Sequence, residues 1–245
     1  MEYGVCRLCR RESDLHRSHI FPAGLYKRFV SDLARGGGFL SLREGRITNQ
    51  QFVRVWFCTE CEARLKQGED AYYALLQARP TSPQYDKRLY DFAVSISWRC
   101  ALFYFEESQG VQWVESALEC WRRYLLNELA DAEPYSQLMA SLESPSWKPW
   151  NQGLGGFAMP NLNLVLSLVG PFVIFGLSRP RELTQADIAL LEPARLLPGG
   201  GQASLDDSVI ESLVSVDSIR IAMSFLTEAS SNRIREMNRM NERKR

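Results

Sequence analysis

Apolar residues recur along this chain with two different periods, and the first change of period coincides with a pair of cysteines. Between Gln51 and Phe57, the residues Phe52, Val53, Val55 and Phe57 give the β-branched and aromatic content of a strand. From Glu62 to Ala78 the spacing is helical, and Pro80 and Pro83 end the run. Upstream, Pro22 suits the first turn of a helix reaching about Ala34, because a missing N–H costs nothing there. Gly36, Gly37 and Gly38 stop that helix. Cys6 to Pro22 reads as a short hairpin turning around Arg10 to Asp14.

Residues 84–143 read as helical throughout. Leu89, Phe92, Ala93, Ile96, Ala101 and Phe105, then Val111, Val114, Leu118, Trp121 and Leu125, follow steps of three and four. The many aromatic rings in this stretch read as core rather than as a base-stacking platform, since each buries a large apolar area. Ser144 to Gly156, rich in Pro, Gly and Trp, reads as a loop. Phe157 to Met159, Leu162 to Leu168 and Phe172 to Leu177 read as short strands, with Gly170-Pro171 as a turn. Pro193, Pro198 and Gly199 to Gly201 mark a further break, and helices are expected from about Leu205 and from about Asp217. The pattern predicts an α+β protein with a motif-bearing part, residues 1–80, and a mostly helical part, residues 84–245, that carries a small antiparallel sheet.

Length and composition change this picture little. At 245 residues with 45% hydrophobic and 24% charged positions, the chain has ordinary globular usage, which argues against wholesale disorder. Its formal net charge is zero, so the whole molecule has no electrostatic bias toward a polyanion. Basic residues nonetheless cluster in the first segment, from Arg7 to Arg54, and in the last turns, from Arg233 to Arg245, and such clusters can neutralise phosphates. The first residues lack the apolar core of a secretory signal, and the apolar run Leu162 to Leu177 is broken by Pro171 and too short to span a bilayer. A cytoplasmic protein is expected, in a reducing setting where paired cysteines hold metal more often than they form disulfides.

The chemistry lies in two C-x2-C pairs, Cys6/Cys9 and Cys58/Cys61, on either side of the chain's two histidines, His16 and His19. Each pair supplies half of a tetrahedral zinc site, and the two halves close it. Forty-eight residues, positions 10 to 57, separate the pairs, more than the about 15–20 of a compact zinc ribbon. The longer insert is tolerable because loop-closure cost grows only logarithmically. A four-thiolate zinc has no open position, so it is structural, and any catalytic ion would sit elsewhere, near His19. Cys100 and Cys120 stand alone in apolar surroundings and read as core.

Cys6-x2-Cys9, His19-Ile20-x-Pro22 and Cys58-x2-Cys61 opening a helix together resemble the HNH nuclease family in its zinc-stapled, restriction-enzyme-like branch, over residues 4–75. The resemblance implies a ββα-metal unit in which His19 is the general base that deprotonates the attacking water. It implies hydrolysis of phosphodiester bonds in nucleic acid, DNA before RNA, and a catalytic Mg²⁺ or Mn²⁺ beside the structural Zn²⁺. After the second cysteine pair the family places a His or Asn; here Glu62 stands there, with Glu69 seven residues further on the same helix face. Glu62 could equally pair with Lys66 on the helix surface. The sequence departs from the family in having Ser18 where an acidic metal ligand precedes the histidine, with His16 as a substitute, and in offering only Asn49 as the amide that orients the histidine. These departures leave a second reading open: a non-catalytic, zinc-stapled module that binds nucleic acid, or a protein through the helical region.

Overall fold

The structure, a computed structural model, describes residues 2–32, 39–41, 46–48, 51–78, 87–107, 114–133, 135, 137–141, 153–159, 164–177, 184–186, 189 and 195–196. The glycine run 36–38, Asn49, most of the 144–156 stretch and the two helices expected beyond residue 205 lie outside them. The architecture is mixed helix and antiparallel sheet, an α+β arrangement. No helix among the described residues is long and apolar enough to cross a membrane.

A three-stranded sheet opens the chain in the order β1 (Glu2–Val5), β2 (Glu12–His19), β5 (Val53–Cys58). The hairpin turn is set earlier than expected: β1 and β2 pair Val5 with Glu12, so the connection is Cys6 to Arg11, not Arg10 to Asp14. The cysteines explain this, because Cys6 N–H donates to Arg11 O at 2.9 Å and Arg10 N–H to Cys6 O at 2.8 Å, wrapping the backbone around the first C-x2-C. Arg10 has φ 61°, left-handed backbone that few non-glycine residues adopt. Helix α1 (Ala23–Asp32) follows β2 directly after Pro22. Strands β3 (Phe39–Ser41) and β4 (Arg46–Thr48) form a small hairpin of their own.

β5 pairs antiparallel with β2, placing Leu15 opposite Cys58 and His19 opposite Val53, with a register shift between His16 and Arg17. Helix α2 (Thr59–Ala78) begins on the next residue, three positions before the expected start at Glu62, with Glu60 and Glu62 in its first turn, where the helix dipole favours acidic side chains.

Helix α3 (Lys87–Glu107) is the centre of the molecule: thirteen of its residues, from Leu89 to Phe103, are buried. It meets α2 where Gly68 lies against the Phe92 backbone and Tyr72 stacks on Phe92, ring centroids 4.2 Å apart. Trp98 stacks on Phe57 of β5 at 5.6 Å. Among the described aromatic residues of this region, Tyr90, Phe92, Trp98, Trp121 and Tyr124 are core, as the spacing predicts, each at most 2% exposed. Helix α4 (Glu115–Leu125) packs beside α3.

The helical expectation fails after α4. Gln137–Ser141 is a strand, β6, within a five-stranded antiparallel sheet ordered β10 (Arg195–Leu196), β6, β9 (Phe172–Leu177), β8 (Leu164–Gly170), β7 (Gly153–Met159). β7 also begins inside the stretch expected to be loop, so the small antiparallel sheet has more strands than the pattern predicts. α3 lies against this sheet. Its Ser97 hydroxyl and the Trp121 ring leave no room for a side chain at Gly176, where a Cβ would sit 2.7 Å from Ser97 Oγ.

Candidate functional site

The two C-x2-C pairs meet where the β1–β2 turn comes against the β5–α2 junction. Arg7 N–H donates to Trp56 O at 2.9 Å, tying the turn to β5. The four sulfur atoms all lie within 4.8 Å of one another, with Cys9 Sγ 3.9 Å from Cys58 Sγ. A tetrahedral site with zinc–sulfur bonds of about 2.3 Å has sulfur–sulfur edges of about 3.8 Å, so the cluster is close to the size such an ion requires. Cys6, Cys58 and Cys61 are buried and Cys9 is half-buried. The cluster can hold a metal ion, and four soft sulfur donors with no water position suit a structural one.

As free thiols, Cys6, Cys58 and Cys61 are unequal. Cys6 is held down to about 4, above all by the Cys61 thiol that donates to it, against the opposing effect of burial. Cys61 is pushed up by that same hydrogen bond and then by burial, and Cys58 is pushed up first by burial. Outside the cluster, Arg11 is raised first by its hydrogen bond to Cys9 and then by Glu60, so a guanidinium faces the more exposed sulfur.

β2 distributes the remaining candidates by alternation, since neighbouring residues of a strand face opposite sides. His16 and Ser18 turn toward the start of α2. His16 Nε2 is 2.8 Å from Thr59 Oγ1, and the buried Ser18 hydroxyl donates to Glu62. His19, half-buried, turns the other way: its Nε2 is 2.7 Å from Gln51 Oε1, and its ring centroid is 5.7 Å from that of Tyr26. The Gln51 side-chain oxygen facing it is an acceptor, so Nε2 is placed to donate to it. The resemblance points to Asn49, not Gln51, as the amide at the histidine; the register that sets Val53 opposite His19 brings position 51 to the ring.

Glu62 and Glu69 share α2 but not a partner. Glu62 accepts from Ser18, and Lys66 pairs with Asp70 at 2.8 Å instead of with Glu62. Glu69 accepts from Arg99 at 3.0 Å, so a buried guanidinium already supplies the positive charge beside that carboxylate. Each of the two acids thus has a protein partner of its own. Among the described residues, the four cysteines are the one group of three or more candidate ligands gathered closely enough for an ion. No family model, curated protein or solved structure matches the chain.

Proposed function

We propose that residues 4–75 form a zinc-stapled, HNH-like ββα unit that hydrolyses phosphodiester bonds in nucleic acid, DNA in the first instance, with His19 as general base. The contact between the His19 ring and the Gln51 side-chain amide carries this reading. A base must present its lone pair in one fixed direction, and an amide oxygen on Nε2 leaves Nδ1 to do so. Further support comes from the order of elements: antiparallel β2 and β5, then α2, with the histidine at the end of β2. Zn²⁺ on Cys6, Cys9, Cys58 and Cys61 would hold the turn and the helix start together. In the reaction, Nδ1 takes a proton from water, the hydroxide attacks phosphorus, and the phosphorus–oxygen bond to the leaving sugar breaks as that oxygen is protonated from solvent. Glu62 is half-buried and accepts from Ser18, the residue before His19.

A second reading, a non-catalytic module that binds nucleic acid or a protein, is favoured by two observations: Ser18 in place of an acid, and Arg99 on Glu69. One assay separates them. The full chain is incubated with supercoiled plasmid and with RNA, in Mg²⁺, Mn²⁺ or EDTA. On the catalytic reading His19→Ala slows strand cleavage by about 10²- to 10⁴-fold, the usual contribution of a general base, and Gln51→Ala slows it less. Equal cleavage by wild type and His19→Ala would overturn the assignment. Zinc-loaded wild type that retains nucleic acid on a gel without cutting it would establish the second reading.

A further inference from the structure

Arg99 lies on α3, eighty residues from His19 in sequence, and is 2% exposed. Its Nη1 donates to the His19 carbonyl oxygen at 3.1 Å and to Glu69 Oε1 at 3.0 Å. Its Nε reaches Ser95 O at 3.4 Å, and Nη2 is buried with no partner among the described residues. One guanidinium thus joins β2, α2 and α3 at the histidine itself.

Stability alone is a poor account of this arrangement. A buried ion pair commonly adds nothing over apolar side chains of the same volume, and an unsatisfied buried N–H adds a penalty. What a planar guanidinium offers, and methionine or leucine cannot, is a fixed fork that orients two acceptors at once. The carbonyl it grips belongs to the last residue of β2, at the point where the chain leaves the sheet toward Pro22. Gln51 holds the ring of His19, while Arg99 holds the peptide from which that ring projects.

We infer that Arg99 is a positioning residue for His19, and that α3 is therefore an integral part of the histidine site. The catalytic consequence rests on the HNH-like reading of His19; the geometric one does not. The test compares the full-length wild type with the double variant Arg99→Met/Glu69→Leu, because Arg99→Met alone strands the Glu69 carboxylate. Three quantities are read: bound zinc with the thermal transition, the ring ¹⁵N signals of His19 that report its tautomer, and plasmid cleavage. The expected double variant keeps its zinc and its cooperative transition, while His19 shifts from one dominant tautomer to a mixture. Where the wild type cleaves, kcat falls about 10- to 100-fold with little change in KM, the scale of a misplaced reacting group. Unchanged ring signals in a folded double variant would overturn the inference. So would a double variant that cannot fold, which would make the pair structural. A wild type that cuts nothing would defeat the nuclease reading, and the ring signals would still decide the role of Arg99.

Discussion

Cys6, Cys58 and Cys61 differ in how readily each yields its proton, and that difference sets how the cluster responds to pH. Cys6 is a thiolate down to about pH 4, whereas Cys58 and Cys61 hold their protons above the usual thiol range. A metal entering near neutral pH therefore displaces at least those two protons, and Cys6 has none to give. Affinity must rise with pH and fall as pH is lowered. Two displaced protons correspond to about 100-fold per pH unit. Competition against a coloured chelator between about pH 6 and 8 measures this slope, and fewer than about two protons per metal would contradict the cluster as described. At this scale the sequence is informative wherever spacing is short: two C-x2-C pairs declare their partners. Arg99 and Gln51 are not legible in that way. Arg99 sits in an apolar helix eighty residues from the carbonyl it binds, and Gln51 gains its meaning only from the β2–β5 register.

Between elements, the tightest junction is α2 against α3. Alanine at position 68 would favour an isolated helix by about 1 kcal/mol. In the protein its Cβ would lie 2.9 Å from Phe92 N, 3.0 Å from Phe92 Cα and 3.2 Å from Arg88 O, all backbone atoms that cannot turn aside. Overpacking of this kind costs about 1–3 kcal/mol, and it outweighs the propensity gain. Gly68→Ala is expected to lower the urea midpoint by the equivalent of up to about 2 kcal/mol; a higher midpoint would show that the helices can part freely. Periodicity finds these helices because each has one face against a core. It misses β6 because Gln-Leu-Met-Ala-Ser has no strand-like alternation and follows a helical run. It misses the start of β7 because three glycines in Gly153–Met159 imitate a loop. The early turn of the first hairpin is hidden for another reason: a metal-binding knuckle, not polar turn residues, sets its position.

On the scale of the molecule, the cysteine-bearing end and the helical part are joined through shared interior. Trp98 stacks on Phe57, Trp56 Nε1 donates to Glu106 Oε2 at 3.0 Å, and Arg122 Nη1 donates to Leu8 O at 3.0 Å. Removing everything after residue 80 would strip α3 and α4 from these groups and leave a small unit short of core. A fragment of residues 1–80 supplied with zinc is expected to give poorly dispersed amide signals and no cooperative melt. A well-dispersed spectrum would show that the metal alone suffices. The α+β class was visible from alternating and helical stretches, but this dependence was not, because nothing local announces which helix covers which strand. The β8–β9 hairpin carries a last implication. Every residue from Leu164 to Gly170 and from Phe172 to Leu177, Pro171 apart, is screened from water on both sides. A ribbon enclosed in that way presents no face to solvent. The knuckle is the opposite case: the side chains of Arg7, Arg10 and Arg11 are each more than half open to solvent while paired with Glu106, Glu119 and Glu60.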